Sequence, residues 1–578
     1  MVEFLVTVCG ADLEQKGIFE VPNDNSVHWV TPLWCASVAG HLHVVKYLVR
    51  LGASVNAQSD SGSTPVRSAC FMSFVEIVKF LVDHGADLKK TNYNGGTCLI
   101  NSVQCIELCS YLISKEVDIN AKDIQEKTAL HYSIQENMIE ATALLLDNGA
   151  DPFAKSQNGD DALTMACLTG SQPIFDLLMN RVRYSTERLA DAHELIGSTF
   201  LDDRGETRVA ILHWRLAHHM RLMESIKKRP AIPLRPAYGN AVEYSTLAEL
   251  DNIASDMDAM RIQSLLICER ILGINHKDML YRLMYRGAAY ADSLRYQRCI
   301  DLWRLALQIR VARYSITYTD TRFTAQALVR LMLDLHARFV DAQPGEFGGH
   351  SSVPRFEDVY EVLLLLTENI LDTRELLQVR PVHKKQQENF DKVFKCVTYL
   401  IFLLVKCAVS EHEKRLVFNS VRTLVLSDIR SACNNDTLLH LCVSRLNVIK
   451  SSYIQYESDT RKAVFPNVEV AKLLIDCGAD VNAQNESRST PLHVASIAYN
   501  YDGELIQTLL DAGAHLDQPN KYDDRAVNFI TMNATNVIPL INYTTLKCQA
   551  ATVVAKYKIP YRNQVPKTLE NFIKLHQA

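Results

Sequence analysis

Apolar residues recur at helical spacing in pairs of short segments, and the pairs repeat about every 33 residues. Each pair starts at a threonine, and the starts lie 33, 33 and 31 residues apart, at Thr31, Thr64, Thr97 and Thr128. A threonine hydroxyl caps a helix, and a proline directly after it, as at Pro32, suits the first helical turn. The spacing therefore predicts a run of helix pairs, each beginning at its threonine.

A glycine follows the second helix of most pairs. The apolar run Val75–Val82 predicts one such helix, and Gly52 and Gly85 stand just after two of them. Glycine ends a helix readily because it adopts the left-handed conformation without a Cβ clash. A helix-turn-helix period of about 33 residues with Thr-Pro-Leu starts is typical of ankyrin repeats. We predict an ankyrin solenoid over residues 1–182, with an incomplete first repeat and a degraded last unit at Asp161.

A second ankyrin block is predicted over residues 434–540. Its two units start at Thr437 and Thr490, which lie 53 residues apart. That interval exceeds the ankyrin period by about 20 residues, and we place the extra residues around 451–466. In the first block, residues 14–30 are predicted to form a long loop ahead of the first complete repeat.

The middle of the chain is predicted to be helical without the ankyrin period. Residues 183–312 contain two sets that fit a tetratricopeptide unit, in which a small residue, aromatic residues and a distal alanine interlock two helices. The stronger set consists of Gly287, Tyr290, Trp303 and Ala306, and the weaker set consists of Gly197, Phe200, Ala210, Trp214 and Ala217. Residues 313–433 are predicted to form a further helical region, to which we assign no repeat. The predicted fold class is all-α.

Composition and charge narrow the range of functions. The net charge of −5 and the pI of about 6.4 argue against general nucleic-acid binding, which requires a basic face. The longest apolar run, Val397–Val405, is too short to span a bilayer. The chain starts Met1-Val2-Glu3-Phe4, with an acid where a signal peptide carries basic residues, so the 15 cysteines are expected to be reduced thiols. We therefore predict a cytoplasmic or nuclear protein that binds neither nucleic acid nor membrane.

The sequence contains no familiar catalytic or metal-binding motif. It has no phosphate-binding glycine loop, no HExxH pair and no CxxC pair. His131, His440 and His493 each follow a Thr-x-Leu start. We interpret them as structural histidines whose rings tie neighbouring turns together. The sequence thus predicts a protein that is not an enzyme, with no cofactor and no metal site.

Residues 541–578 are predicted to form two short helices that act as a docking tail. On the first helix, after a capping threonine, apolar and small residues lie four positions apart and share one face; the set is Thr545, Leu546, Ala550 and Val554. The second helix begins with a proline in its first turn; its key residues are Val565, Pro566, Leu569 and Ile573. The two sets resemble an Elongin-binding box joined to a cullin-binding box, as in substrate receptors of cullin-RING ubiquitin ligases. The alternative is a plain helical hairpin that closes the fold.

The order of these regions resembles the feminization (Fem-one homologue) family, and its A/C branch in particular. Local matches lie at Arg67–Phe71, Leu195–Phe200, Glu269–Gly273, Tyr285–Asp292 and Val565–Glu570. The resemblance implies a non-catalytic substrate receptor that binds C-terminal degrons. It also implies the partners Elongin B/C and a cullin with its RING subunit. The competing interpretation is a scaffold protein whose repeats bind partners without ubiquitin transfer.

The resemblance also implies a degron-binding site formed by Trp34, Arg67 and Phe71. Arg67 is suited to a terminal carboxylate, which a guanidinium binds through two parallel hydrogen bonds. Trp34 is expected on the inner ankyrin surface, with a core position as the alternative, and Arg67 alternatively forms an ion pair along the solenoid. The sequence departs from the family where Met72-Ser73 replaces Asp-Gly, so a preference for a terminal arginine is in doubt. The third unit also lacks two residues around 102–107, which alters the wall of the site.

Overall fold

The computed structural model describes residues 2–21, 27–229, 232–341, 354–379, 383–449 and 463–577. Residues 22–26 of the predicted 14–30 loop and residues 450–462 of the predicted insertion lie outside the described residues. The chain divides into two compact units, Met1–Arg282 and Leu283–Ala578. Both are built mainly from helices, which confirms the all-α repeat class.

The first unit is a series of short helix pairs followed by longer helices. Its elements are α1 (Val2–Thr7), β1 (Gly17–Glu20), β2 (Val27–Val30), α2 (Pro32–Val38), α3 (Leu42–Arg50), α4 (Pro65–Phe71), α5 (Val75–Asp83), α6 (Cys98–Asn101), α7 (Ile106–Ser114), α8 (Ala129–Gln135), α9 (Ile139–Asp147), α10 (Ala162–Thr169), α11 (Gln172–Arg181), α12 (Thr186–Arg204), α13 (Thr207–Met223), α14 (Leu247–Ile253) and α15 (Met257–Leu272). A short 3-10 helix, Pro236–Tyr238, precedes α14.

The boundary between the units falls inside α16 (Lys277–Asp292). The second unit continues with α17 (Tyr296–Arg313), α18 (Thr319–Asp341), α19 (Phe356–Thr367), α20 (Ile370–Leu376), α21 (Lys384–Cys407), α22 (Glu411–Leu426), α23 (Leu438–Cys442), α24 (Val468–Asp476), α25 (Pro491–Ser496), α26 (Gly503–Asp511), α27 (Ala526–Met532), α28 (Leu546–Lys556) and α29 (Lys567–Leu575). A 3-10 helix, Leu540–Tyr543, precedes α28.

The repeat helices start where the threonines predicted. The hydroxyl oxygens of Thr31, Thr64 and Thr97 accept hydrogen bonds from backbone N–H groups in the first turns of α2, α4 and α6. Each contact satisfies a donor for which the helix itself has no acceptor. Helix α5 covers the predicted Val75–Val82 run, and Gly85 follows it in the left-handed region with a φ of 86°. The predicted ankyrin helix pairs are therefore confirmed.

The repeat histidines are structural, as predicted. Nδ1 of His131 lies 2.9 Å from Thr128 Oγ1, and its Nε2 atom lies 3.0 Å from the carbonyl oxygen of Asp160 in the next repeat. His440 and His493 repeat this arrangement in the second unit. Each imidazole therefore links the start of one repeat to the loop that precedes the following helix pair.

Each ankyrin repeat opens with a turn, here called a finger, and backbone hydrogen bonds join neighbouring fingers. In the first unit the N–H groups of Tyr93 and Ile124 donate to the carbonyl oxygens of Ser61 and Asn94, at 3.1 and 2.9 Å. Equivalent bonds join fingers in the second unit. This ladder holds successive fingers side by side, so their tips form one edge in each block.

The loop predicted for residues 14–30 is wrong, because strands β1 and β2 in this segment pair as an antiparallel hairpin. Val21 and Val30 pack with Trp34 and Val38 of α2 in one apolar cluster. Two strands alone are marginal in water, and packing on a helix supplies the missing stability. The β-branched and aromatic residues that make the strands were visible in the sequence, but what they cover was not.

A glycine and a tryptophan interlock the helices of both predicted tetratricopeptide-like pairs. Between α12 and α13, a Cβ on Gly197 would lie 3.0 Å from the indole of Trp214. Between α16 and α17, a Cβ on Gly287 would lie 2.3 Å from Trp303 Nε1. Each indole N–H also donates to a backbone carbonyl on the turn before the glycine. Glycine is thus required at both positions, because the indole of the tryptophan occupies the space that a side chain on the glycine would fill.

The helical region to which we assigned no repeat supplies a large part of the core of the second unit. Helix α21 packs against α18 and α19, and Phe390, Phe394 and Leu400 on it are fully buried. The apolar run Val397–Val405 is the C-terminal half of this helix. In the part of the chain that the structure describes, no helix is both long and apolar enough to cross a membrane.

A buried ion network fixes the longer helices of the first unit. The Glu194 carboxylate on α12 has no exposed side-chain surface, and it pairs with Arg221, Lys228 and Arg270 at 3.2 Å or less. Burial raises the pKa of Glu194, but the three cations outweigh that effect and hold it at about 2. Removing one partner would leave an uncompensated buried charge, which is strongly destabilising.

Replacing Gly287 by alanine is expected to destabilise the second unit by about 2 kcal/mol, because the added Cβ displaces the Trp303 indole from a packed core. Urea-induced unfolding followed by tryptophan fluorescence measures the loss. Gly503→Ala is the matched control, since a Cβ at that helical glycine meets no atom within 4 Å. Equal stability of the two variants would show that the close contact between Gly287 and Trp303 does not contribute to the free energy of unfolding.

Acid is expected to loosen α12 and α13 through a buried histidine pair. His193 Nδ1 and His213 Nδ1 lie 2.8 Å apart, so one proton bridges two otherwise neutral rings. Burial lowers the pKa of both, that of His193 to about 4, while an unfolded histidine titrates near 6.5. The stabilisation is therefore complete above about pH 6.5 and declines as the pH falls toward about 4, by roughly 2 kcal/mol at pH 5.

Hydrogen exchange of the α12 and α13 amides, corrected for intrinsic rates, follows this loosening over the same pH range. The double variant His193→Gln with His213→Gln is expected to flatten the pH dependence, whatever its absolute stability. An unchanged slope in the double variant would place the acid sensitivity elsewhere in the unit.

Candidate functional site

Helix α4 presents two of the predicted degron-binding residues on one face. Arg67 and Phe71 lie four positions apart, which brings their side chains to neighbouring places on a helix. The Thr64 cap and Pro65 set the start of this helix. Phe71 is 55% exposed, whereas Arg67 is half-buried. The helix thus offers a free aromatic ring beside a partly desolvated cation.

The guanidinium of Arg67 is held in place by uncharged groups. Its Nε atom donates to the Gly96 carbonyl oxygen and its Nη1 atom donates to Ser63 Oγ, both at 2.9 Å. A Cβ on Gly96 would lie 2.9 Å from Arg67 Nη2, so the absence of a side chain there makes room for the guanidinium. These contacts orient the group without neutralising it.

Arg67 has no carboxylate within ion-pair distance among the described residues, so the alternative of an ion pair along the solenoid is not observed there. Burial lowers the pKa of Arg67, and the nearby thiols of Cys98 and Cys70 act in the opposite direction. A half-buried cation without a counter-charge gains most from an added anion, since water screens it poorly. The position is therefore chemically suited to a carboxylate.

Trp34 does not lie on an open surface, so the expectation that it lines the inner ankyrin face is wrong for this structure. Only 4% of it is exposed, because the hairpin of β1 and β2 covers it. The Phe19 and His28 rings lie 6.2 and 5.8 Å from its ring. Trp34 Nε1 is buried without a hydrogen-bond partner among the described residues. The residue occupies the core position that the sequence left as the alternative.

The departures from the family pattern alter the surroundings of Arg67. Met72 follows Phe71 and packs into the apolar cluster around Trp34, so this position supplies no charge. Ser73 adopts a left-handed conformation with a φ of 59°. Helix α6 spans only Cys98–Asn101, which agrees with the two residues missing from the third unit. Helix α6 is therefore short, and the end of α4 carries an apolar side chain at Met72.

A ridge of exposed apolar side chains at the fingers was missed by the sequence interpretation. Tyr93 and Ile124 are 72% and 68% exposed and lie on neighbouring fingers of the hydrogen-bonded ladder, and Trp29, 52% exposed, is joined through Asp60 to the finger that precedes Tyr93. The Tyr93 ring lies against Gly62 of the preceding finger. The sequence contained a signal for this ridge, because large apolar residues in successive turns form an exposed patch of the kind that marks an interaction site.

The tail folds as two packed helices, α28 and α29. Thr545 caps α28 by accepting a hydrogen bond from the Cys548 N–H at 3.1 Å. Pro566 is the residue before α29 and not part of its first turn, so the second helix begins one position later than predicted. The helical hairpin itself is confirmed.

The predicted Elongin-binding residues differ in their exposure. Leu546 is 84% exposed and Ala550 is also exposed, whereas Val554 is half-buried against the other helix. The exposed stripe continues instead through Val553 and Tyr557, which are 48% and 68% exposed. Helical spacing alternates between three and four residues, which is why Val553 shares the stripe and Val554 does not.

The predicted cullin-binding residues face mainly into the tail. Ile573 is 8% exposed and packs with Ala551 and Tyr561, and Val565 is half-buried against the same cluster. Leu569 is half-buried and Pro566 is exposed. The structure therefore places two of the four residues, Val565 and Ile573, in the core of the hairpin. Their role in binding a partner stays a prediction.

Ankyrin repeats recur in comparisons with known protein families. The model described as ankyrin repeats (3 copies) matches residues 1–92 and 99–190, and the model described as ankyrin repeat matches residues 434–486 and 487–521. These ranges coincide with the helix pairs and finger ladders of the two blocks. The chain is thus an ankyrin-repeat protein, a class that suggests a repeat scaffold and not an enzyme.

Similar proteins narrow this class to one family. Protein fem-1 homolog A-like of Mus musculus is 30% identical over 626 residues, covering 100% of this chain and 92% of that protein. Protein fem-1 homolog A of Rattus norvegicus is 31% identical over 624 residues, with the same coverage. Protein fem-1 homolog C of Xenopus laevis is 35% identical over 431 residues, 73% of this chain and 66% of that protein. The chain belongs to the fem-1 homolog family, and its A/C character is consistent with the sequence prediction.

Proposed function

We propose that this chain is the substrate-recognition subunit of a cullin-RING ubiquitin ligase. In this proposal the first unit binds the C-terminal degron of a target protein. Residues 541–578 bind Elongin B/C and a cullin that carries the RING subunit. Ubiquitin transfer then belongs to the partner subunits, in the cytoplasm or the nucleus, and marks the target for the proteasome.

The observation that carries the proposal is the guanidinium of Arg67, which is half-buried and lacks a counter-charge among the described residues. A chain-terminal carboxylate is an anion whose shape matches the edge of a guanidinium. Phe71 stands one helical turn away, with an open ring for the apolar part of the last peptide residues. A carboxylate and an adjacent apolar contact together distinguish a chain end from an internal acid.

The same surroundings set the expected specificity. A terminal arginine on the peptide requires a carboxylate near Arg67, and Met72 supplies an apolar side chain at the position where the family has an acid. We therefore expect binding of chain ends with reduced preference for arginine. The exposed ridge of Trp29, Tyr93 and Ile124 favours apolar residues further along the peptide.

The tail supports the second half of the proposal. Leu546, Ala550, Val553 and Tyr557 form an exposed apolar stripe on α28. An amphipathic helix that lays such a stripe into a groove is a common way of binding a partner protein. A large exposed leucine at 84% is costly to leave in water, so a covering partner stabilises it.

One observation favours the scaffold alternative. Ile573 and Val565 pack inside the helical hairpin, so these two cullin-box residues are not open to a partner in this arrangement. A scaffold would use the ankyrin surfaces alone and would recruit neither adaptor. The two functions differ in one measurable property, which is whether Elongin B/C and a cullin co-purify with the chain by binding to residues 541–578.

Arg67→Ala is expected to weaken the binding of peptides with a free C-terminal carboxylate by about 10- to 100-fold. A loss of this size corresponds to the binding free energy of a charge-assisted pair of hydrogen bonds. Fluorescence polarisation with a peptide panel that varies the last residue measures this loss. Each peptide is also made with an amidated C-terminus, which removes the charge. The amidated forms are expected to bind wild-type protein as weakly as the free forms bind the variant.

Arg50→Ala is the matched control, because Arg50 is an exposed arginine on α3 of the same unit. Trp34 is kept in all variants, since its removal would empty the cluster beneath the hairpin. Two results would show that Arg67 does not bind the terminal carboxylate. One is equal affinity for amidated and free peptides, and the other is an Arg67→Ala variant that binds the free peptides as tightly as the control variant does.

Leu546→Ala combined with Val565→Ala and Pro566→Ala is expected to abolish co-purification of the chain with Elongin C and a cullin. The first change removes the most exposed residue of the stripe, and the other two alter the start of α29. Co-expression followed by affinity purification and mass spectrometry measures recovery. Leu446→Ala, an equally simple change at a 67% exposed leucine outside the tail, is expected to retain both adaptors.

Recovery of neither adaptor with the native tail would reject the ligase proposal and favour the scaffold. Retention of both adaptors by the triple variant would place their binding surface elsewhere in the chain.

A further inference from the structure

We infer that the second unit contains a zinc site that clamps the C-terminal helix pair to the last ankyrin repeat. Its ligands are His515, Asp517, Cys548 and His576. The first two residues follow α26, the third lies on α28 and the fourth directly follows α29. The inference rests on this cluster alone and is independent of any Elongin or cullin binding.

The ligand atoms are already close enough for one ion. Each of the four side chains offers one ligand atom, and these atoms all lie within 4.8 Å of one another. His576 Nε2 is 3.3 Å from Asp517 Oδ1, and Cys548 Sγ is 3.7 Å from His515 Nδ1. Zinc bonds of about 2.0–2.3 Å at tetrahedral angles place ligand atoms roughly 3.3–3.7 Å apart. Both measured pairs match this spacing.

The His576 ring is oriented as a ligand. Its Nδ1 atom lies 2.8 Å from the Phe572 carbonyl oxygen, which only accepts, so Nδ1 carries a proton. Nε2 is buried and faces Asp517 Oδ1. In the protonated ring Nε2–H pairs with this carboxylate, and in the neutral ring the Nε2 lone pair faces the same oxygen. A zinc ion would take the place of the proton between the two groups, and metal-bound histidines characteristically donate their other nitrogen to a carbonyl.

The remaining ligands have oriented neighbours of the same kind. The Thr545 hydroxyl donates to Cys548 Sγ at 3.1 Å, which favours the thiolate that a metal requires. The Thr552 hydroxyl donates to Asp517 Oδ2 at 3.1 Å and leaves Oδ1 facing the cluster. Outer contacts of this type hold metal ligands in position in known sites.

The chemistry of the donor set selects zinc. One thiolate, two imidazoles and one carboxylate form a mixed set with sulfur, which magnesium and calcium disfavour and zinc accepts in tetrahedral geometry. Cys548 and His576 are 4% and 1% exposed, while His515 and Asp517 are half-buried. Such a closed site, with all four positions filled by protein, is typical of a structural metal and not of a catalytic one.

Metal binding would join three segments that are distant in sequence. Without a metal, α28 and α29 are held to the repeat by a few polar contacts and by the ring of Phe572, 5.4 Å from that of His515. Zinc would cross-link the repeat to both helices and release the Cys548 proton to solvent, with no change of oxidation state. The exposed stripe that begins at Leu546 would thereby acquire a fixed orientation on the second unit.

The test uses the purified full-length chain, reduced and made metal-free by a chelator, and titrated first with Co²⁺ and then with Zn²⁺. We expect one Co²⁺ per chain, with the charge-transfer band of a thiolate ligand and the visible bands of tetrahedral cobalt. Zn²⁺ should displace it with the same stoichiometry. Hydrogen exchange of α28 and α29 should slow when Zn²⁺ is added.

Cys548→Ser and His576→Gln are each expected to lower Zn²⁺ affinity by about 100-fold or more, at least as much as loss of an outer-shell contact. Cys548→Ser should also remove the thiolate band. Cys433→Ser is the matched control, because Cys433 is an exposed free thiol of the same unit and lies outside the cluster. It should behave as wild type.

The metal titration of the wild-type protein tests for the zinc site even if a variant at one of the four ligands folds poorly. Absence of the thiolate band in wild-type protein would overturn the inference, and so would a band that persists in Cys548→Ser or disappears in Cys433→Ser. Because no adaptor is present, a failure here is distinct from a failure of Elongin or cullin recovery.

Discussion

The backbone hydrogen bond between successive fingers is the contact on which both ankyrin blocks depend. A single helix pair cannot bury its own apolar face, so each repeat is stable only against its neighbours. The finger bonds set the spacing of those neighbours, and the repeat histidines, such as His131, reinforce it from inside. The same ladder also aligns the finger tips and the inner helices. As a result, Phe71 on an inner helix and Tyr93 on a finger are both exposed on the surface of the first unit.

The helices outside the ankyrin blocks are fixed by a different constraint, which is exclusion of volume. Gly197 and Gly287 exist where an indole fills the place of a side chain, so each tryptophan locks two helices at one separation. In the first unit the charge network around Glu194 adds polar specificity to that packing. Apolar burial stabilises the arrangement, and the contact between each glycine and its tryptophan restricts the separation of the two helices.

The proposed binding of partners and of a metal rests on three groups in the described part of the fold. Arg67 is half-buried without a counter-charge among those residues, Leu546 is apolar and exposed, and His576 faces the carboxylate of Asp517. The proposals assign each group a different external species, respectively an anion, an apolar groove and a metal cation.

The sequence by itself determined the repeat starts, the helix ends and the histidine ties, because caps and left-handed glycines act within a few residues. It also identified the Gly–Trp pairs, since helical spacing is local, whereas Arg67 and Phe71 were singled out by the resemblance to the family. Only the tertiary structure decided that a hairpin buries Trp34 and that Val554 and Ile573 pack inside the tail. It alone brought Cys548 to His515, Asp517 and His576. Burial and ligand clustering arise from contacts between distant segments, and local spacing does not encode them.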